Sequence, residues 1–224
     1  MQPLLRMQGI NKSFAGVAAL ASAELEIAPG EVHAVIGQNG AGKSTLIKIL
    51  TGVYRKYSGD ISFEEKPWNA LSPREAQDNG IATIYQELSL VPLRSVTENV
   101  IMGYEPRTRL GLIDWKAAHK RSREILSDFG IDIDVTLPLG TFSTAIQQLT
   151  AIARAVSLNS RLVIMDEPTS SLDDREVETL FGVVRGLKAK GVSVIYISHF
   201  LDELFHICDR ATIMRDGQTV AVRE

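Results

Sequence analysis

Cysteine is almost missing from this chain: Cys208 stands alone among 224 residues. No internal disulfide is available, so a disulfide scaffold is excluded and a reducing compartment fits. With Phe205 and Ile207 beside it, Cys208 reads as a small packing residue and not as a nucleophile. A surplus of positive charge is also lacking. The formal net charge is -3, which argues against a protein built mainly to bind nucleic acid. No apolar run approaches the about 18 residues of a membrane span. The opening Met1-Gln2-Pro3-Leu4-Leu5-Arg6 has neither the basic start nor the apolar core expected of a signal peptide. There is no internal repeat and no Cys/His cluster of the kind that holds zinc. Trp68 and Trp115 are expected to be packing residues, and His33, inside an apolar run, a satisfied core histidine. What is present is an ordinary globular mixture, 45% hydrophobic and 23% charged. Its length suits one large domain or a domain plus a small insert.

Gly37-Gln38-Asn39-Gly40-Ala41-Gly42-Lys43-Ser44 is the most informative stretch. It fits the phosphate-loop spacing of glycine, four residues, then Gly-Lys-Ser. Val32–Ile36 before it reads as a buried strand, and Thr45–Leu50 after it as a helix with an apolar face. A glycine-rich turn between strand and helix aims several backbone N–H groups at one point. The helix N-terminus adds partial positive charge there. Lys43 can then reach β/γ-phosphates, and the Ser44 hydroxyl can hold Mg²⁺.

Beyond that loop the pattern alternates. Strands are expected at Leu5–Ile10, Ala23–Ile27, Ile61–Phe63, Ile81–Tyr85, Leu162–Met165, Val192–Ile197 and Ala211–Met214. Helices are expected after Ser72-Pro73 and at Ser95–Met102, Trp115–Phe129, Gln147–Val156, Asp174–Lys190 and Leu201–Cys208. This is an α/β chain with a mostly parallel sheet and helices on its faces. Residues 90–145 change character and read as a small helical insert. The run Leu162-Val163-Ile164-Met165-Asp166-Glu167 places two acids where ligands bind, at the C-terminal end of a buried strand. Asp166 suits Mg²⁺ ligation and Glu167 suits a general base for an attacking water. Taken alone, two acids at a strand end read as well as caps of the following turn.

Asp166-Glu167, followed by Ser171-Leu172-Asp173 and by Ser198-His199 after the next strand, resembles the ATP-binding domains of ABC transporters, over the whole chain and in order. The resemblance implies a single P-loop NTPase domain. Residues 1–89 and 146–224 would form the nucleotide-binding core with an antiparallel β subdomain, and 90–145 the helical subdomain. It implies ATP and Mg²⁺ as ligands and ATP hydrolysis as the activity. Phe14 matches the aromatic that stacks on adenine, although by itself it reads equally as a phenylalanine closing a hairpin. Gln86 matches the glutamine that touches Mg²⁺ and links the site to the helical subdomain. His199 matches the histidine at the γ-phosphate, and Asp173 the aspartate that crosses to a partner domain. Gly37, Asn39, Gly40, Ala41, Gly42, Lys43, Ser44 and Thr45 take the phosphates. Ser44, Gln86 and Asp166 take the metal.

One segment departs from the family. Its Leu-Ser-Gly-Gly-Gln signature aligns with Phe142-Ser143-Thr144-Ala145-Ile146, where only the serine is kept. Glycines let backbone approach a γ-phosphate closely. Thr144 and Ala145 are expected to bring Cβ atoms into that space, leaving Ser143 and the helix start as donors. The expectation is an asymmetric machine, in which this chain's loop and Glu167 complete a site with a partner domain carrying an intact signature. Lys43–Lys48, Thr51–Tyr54, Ile84–Glu87, Ser198–Asp202 and Met214–Gly217 resemble the first of two ATP-binding domains in ribose, galactose and galactofuranose-type importers. That resemblance implies a transmembrane permease contacting the Gln86 loop and helical subdomain. It also implies an indirect periplasmic sugar-binding protein, no nucleic-acid partner, and a peripheral place on the cytoplasmic face of the bacterial inner membrane. Glu87, Leu90 and Val91 are expected near the permease groove, although Leu88–Leu93 reads equally as packing under the insert. Lys116, His119, Lys120, Arg121 and Arg123 read as a solvated helix face opposite Ala118, Ile125 and Phe129. The rival readings are a soluble ABC-type ATPase acting on ribosomes or DNA, and a regulatory ATP-binding half without hydrolysis.

Overall fold

The computed structural model describes residues 2–84, 90–156, 160–170 and 172–223. Among the described residues, ten strands form two sheets. β1 (Leu5–Phe14), β2 (Val17–Ile27), β4 (Ser58–Phe63) and β5 (Lys66–Pro67) make an antiparallel sheet in the order β2-β1-β4-β5. β3 (Val32–Ile36), β6 (Ile81–Ile84), β7 (Leu162–Asp166), β8 (Ser193–Ile197), β9 (Arg210–Arg215) and β10 (Gln218–Arg223) make the second, ordered β10-β9-β3-β8-β7-β6. Within it only the β9–β10 pair is antiparallel.

The central strands are apolar on both faces because both faces are covered. On one face Val35, Ile164, Ile195 and Ile197 pack with Leu46, Ile47 and Leu50 of α1 (Lys43–Leu50) and with Leu5, Met7 and Ile27 of the antiparallel sheet. On the other, Ala34, Val163, Met165, Val194 and Tyr196 share one core with α5 (Thr144–Val156) and α6 (Asp174–Ala189). That core continues without a break into α3 (Val96–Ile101) and α4 (Trp115–Ser127) through Val96, Val100, Ala118 and Leu126. Thus α1, with the phosphate loop at its start, lies between the two sheets.

Local chemistry fixes the helix starts. Ser72 caps α2 (Pro73–Asp78) by accepting from Glu75 N, with Pro73 in the first turn. Ser95 and Glu98 form a reciprocal capping box on α3, and Asp173 and Glu176 do the same on α6. His33 is fully buried and satisfied on both ring nitrogens, by Glu31 Oε1 at 2.8 Å and Thr212 Oγ1 at 2.7 Å. Trp68 packs on Phe63 and donates to Leu50 O. Cys208 packs against the core, and burial pushes its thiol up to about 12.

Several expectations need correction. The helix expected from Gln147 starts at Thr144, so Thr144–Ile146 is already its first turn. β5 and β10 were not anticipated as strands. Trp115 is 45% exposed and is not a core residue. The expected helix face around Lys116 holds for Lys116, Lys120, Arg121 and Arg123, which are exposed opposite the buried Ala118 and the packed Ile125 and Phe129, but not for His119, which is partly buried and hydrogen-bonded to Thr97 Oγ1 at 2.9 Å.

Candidate functional site

The loop between β3 and α1 opens at the C-terminal end of the parallel strands. Asn39, Gly40, Ala41, Gly42, Lys43, Ser44 and Thr45 meet Asp166 and Glu167 from β7 and Ala19 from β2 around one cleft of about 250 Å³. The two motifs, more than a hundred residues apart in sequence, therefore share one site.

Two of the loop glycines are required by space. Gly42 has φ +104°, and a Cβ there would lie 2.7 Å from Leu20 Cδ2. At Gly37 a Cβ would lie 2.5 Å from Met214 O and 2.9 Å from Ala41 Cβ. Gly37 thus does not line the cleft but lets the loop pass the end of β9. Gly37→Ala is expected to cost about 1–3 kcal/mol of stability through overpacking against backbone. Urea denaturation checks this, and an unchanged midpoint contradicts it.

The same turn braces the loop in a way that motif reading missed. Gly217 N donates to Ala41 O (3.1 Å), and Ala21 N donates to Gly217 O (2.9 Å). Asp216 and Gly217, at φ +51° and +77°, form the two-residue turn of the β9–β10 hairpin. The Asp-Gly pair was the available signal. Lys43 Nζ donates to Gly37 O (2.6 Å) and Gln38 O (3.2 Å), holding the ammonium over the loop.

Asp166 is half-buried. Burial, then the neighbouring charge of Glu167, pushes its carboxyl up, and Lys43 and Lys48 pull it back. Glu167 takes φ +49°, unusual for a residue with a Cβ, and its N donates to Ile197 O at 2.9 Å. That bond ties the end of β7 to the end of β8. It sets Glu167 Oε1 3.2 Å from His199 Nδ1. His199 is itself held from below: Ser198 Oγ and Tyr196 OH both donate to Glu203 Oε2 at 3.1 Å, fixing the chain where β8 meets α7 (Leu201–Ile207). Glu203 was not singled out from sequence, where it reads as an ordinary acid in a helix first turn.

Phe14 ends β1 beside the Ala15-Gly16 turn, so it does close a hairpin, yet it is 40% exposed. Its ring meets Tyr54 edge-on, with centroids 5.0 Å apart, and Lys12 Nζ lies 4.9 Å from its centroid. It is outside the residues lining the phosphate cleft. Ser143 is exposed immediately before α5, its Oγ 3.4 Å from Ile146 N. Ala145 is turned inward and 7% exposed, and Ile146 packs against the core. This corrects the expectation that the Ala145 Cβ obstructs an approaching phosphate; only Thr144, which is exposed, projects outward beside Ser143. The Asp173 Oδ1 caps α6 by accepting from Arg175 N and Glu176 N, both at 2.9 Å. Any role across an interface must share that carboxylate. Gln86, Glu87 and Ser171 lie outside the described residues.

A second groove, of about 370 Å³, runs between α2 and β6 on one side and the ends of α3 and α5 on the other. Leu90 lines it, with Arg74, Tyr104 and Arg154, whereas Val91 is outside the lining and 40% exposed. Burial lowers the Arg154 guanidinium's hold on its proton. The Tyr104 hydroxyl donates to Asp78 Oδ1 at 2.9 Å.

The family model described as ABC transporter matches residues 20–170. A ribose import ATP-binding protein of Rubrobacter xylanophilus is 49% identical over 219 residues, 97% of this chain and 42% of that protein. A galactofuranose transporter ATP-binding protein of Escherichia coli K12 is 45% identical over 223 residues, 100% of this chain and 44% of that protein. The chain thus spans less than half the length of these curated relatives. Among solved structures, a nucleotide-free ATP-binding cassette from an ABC transporter aligns with a TM-score of 0.86 at 27% identity, covering 99% of this chain and 91% of that one. The ADP conformation of an ATP-binding cassette aligns with a TM-score of 0.86, also at 27% identity, over 100% and 92%.

Proposed function

The chain belongs to the ABC transporter family, and from that premise we propose that it is an ATP-binding and ATP-hydrolysing part of a carbohydrate importer. The observation that carries this reading is the single cleft shared by the Gly40–Thr45 loop and Asp166-Glu167. The names of the relatives, import proteins for ribose and a transporter protein for galactofuranose, support the transport role over action on ribosomes or DNA.

In this reading adenine stacks on the exposed Phe14 ring and the phosphates rest on the backbone N–H groups at the start of α1. Lys43 leaves the loop carbonyls for the β/γ-phosphates. Glu167 takes a proton from water as that water attacks the γ-phosphorus, and ADP and inorganic phosphate leave. His199, 3.2 Å from Glu167, orients that carboxylate and donates to the developing charge. Ser44 and Asp166 bring a hydroxyl and a carboxylate to the same cleft, a hard oxygen donor set that fits Mg²⁺. The upward push on the Asp166 carboxyl by Glu167 is what a cation would relieve. When bound, Mg²⁺ would neutralise charge on the β/γ-phosphates. Gln86 is a further candidate ligand by resemblance.

The length of the relatives beyond this chain leaves room for a second ATP-binding domain. Its phosphate loop would face Ser143 and Thr144, and its signature would complete the cleft described above. The groove at Leu90, Tyr104 and Arg154 would take a cytoplasmic segment of the permease. Peripheral attachment agrees with the described residues, among which no helix is long and apolar enough to cross a membrane.

ATP titration in Mg²⁺ tests the site. The wild-type chain is expected to bind, and Phe14→Ala to weaken binding by about 1–3 kcal/mol, roughly 5- to 150-fold. Equal affinity in the variant removes Phe14 from the site, and a wild-type chain that binds no ATP overturns the function.

A further inference from the structure

Three of the described tight turns carry residues that water tolerates. They are Ala15-Gly16, Glu64-Glu65 and Asp216-Gly217. The hairpin at residues 106–114 differs. Asp114 N donates to Pro106 O (2.8 Å), Thr108 N to Leu112 O (2.8 Å) and Gly111 N to Thr108 O (2.9 Å). Arg107 Nη1 adds a bond to Gly111 O at 3.0 Å. The turn is therefore held in one shape, and that shape presents Arg109 and Leu110 at its tip. Leu110 is 88% exposed and Leu112 is 68% exposed. The half-exposed Trp115 follows at the start of α4. An ordered turn that holds two leucines in water gains nothing for the fold.

The local charge is opposite to that of the chain. Arg107, Arg109 and Lys116 face only Asp114 and Glu105 nearby in sequence, against a whole-chain balance of -3. Asp114 caps α4 through Ala117 N and Glu105 accepts from Gly103 N, so both carboxylates are partly buried against backbone while Arg107, Arg109 and Lys116 are exposed. Exposed leucines and a tryptophan set among arginines and a lysine match an anionic bilayer surface, where apolar groups enter the headgroup boundary and basic groups meet phosphates. The position agrees. The hairpin starts just past Met102, Gly103 and Tyr104, which line the groove assigned above to a permease.

We propose that the 106–114 hairpin, with Trp115 and Lys116, is a lipid-contact element that sets Leu110 and Leu112 into an anionic membrane surface beside the permease. This rests on the reading of the chain as a membrane-attached ATPase, and goes beyond it by naming lipid as the partner.

The full chain would be co-sedimented with vesicles of mixed phosphatidylcholine and phosphatidylglycerol, and with vesicles of phosphatidylcholine alone. Binding is expected to the anionic vesicles and to weaken with salt. Leu110→Ser with Leu112→Ser, and separately Arg107→Gln with Arg109→Gln, should each lower partitioning by about tenfold or more. Both variants should keep wild-type ATP affinity, since neither pair lines the phosphate cleft. No binding to anionic vesicles, or variants that partition like wild type, overturns the proposal. So does unchanged vesicle binding with lost capture of the detergent-solubilised permease, which would assign the hairpin to protein contact. Loss of ATP binding by the wild-type chain would instead strike the ATPase reading, so the two failures are distinguishable.

Discussion

With Glu167 replaced by glutamine, ATP turnover by the assembly proposed above is expected to fall by about 10²–10⁴-fold, the usual contribution of a positioned general base. ATP binding should stay near its wild-type value. The replacement keeps the side chain's shape, and an amide oxygen still accepts a hydrogen bond from His199 Nδ1, now 3.2 Å from Oε1. What is lost is the capacity to take a proton from water. The backbone should not relax, because the positive φ of Glu167 is held by the bond from its N to Ile197 O. Steady-state phosphate release beside equilibrium nucleotide binding checks this. A variant that turns over at near-normal rate would move the base to another residue.

Lys43→Ala is expected to act on binding itself. Its ammonium donates to Gly37 O and Gln38 O, so the side chain is already aimed over the loop. Exchanging those carbonyls for phosphate oxygens gives charge-assisted bonds. Removing one partner of such a pair leaves phosphate charge uncompensated and typically costs about 2–5 kcal/mol, roughly 30-fold or more in affinity. Thermal denaturation separates this from misfolding, since only two local bonds to loop carbonyls are lost. An ATP dissociation constant within a few-fold of wild type would place the phosphates elsewhere.

The parts of the site written as short contiguous motifs were legible in the sequence. A glycine-rich turn needs residues without a Cβ, so the loop announces itself, and Gly42 with its φ of +104° shows why. Asp166-Glu167 was legible because four buried apolar residues precede it in β7. The cap at Ser72 follows from local backbone chemistry and was legible for the same reason, whereas the capping boxes at Ser95 and Asp173 emerge only in the folded chain. What failed depends on partners distant in sequence. β10 is an exposed edge strand whose Val220 and Val222 face outward, so beyond the Asp216-Gly217 turn signal its pattern marks no core face, and its role in bracing Ala41 through Gly217 exists only in the folded sheet. The start of α5 was hidden because Thr144 and Ile146 are β-branched and read poorly as helix. Moving that start by one turn rotates Ala145 into the core, which changes what the altered signature presents to a partner. Glu203 was hidden because its partners, Tyr196 and Ser198, lie on the preceding strand and loop.

In the reading proposed above, a second domain completes the ATP site of this chain, and the Ser143-Thr144 edge, with the exposed Thr144 beside Ser143, completes no other. The most direct test is ATP hydrolysis by this chain alone in Mg²⁺ across a wide range of protein concentration, beside Glu167→Gln. ATP binding is expected, with a rate per molecule that stays flat with concentration and no higher than that of the variant. A rate per molecule that climbs with concentration, and vanishes in Glu167→Gln, would contradict it, because two copies would then be completing each other's sites through Ser143 and Thr144.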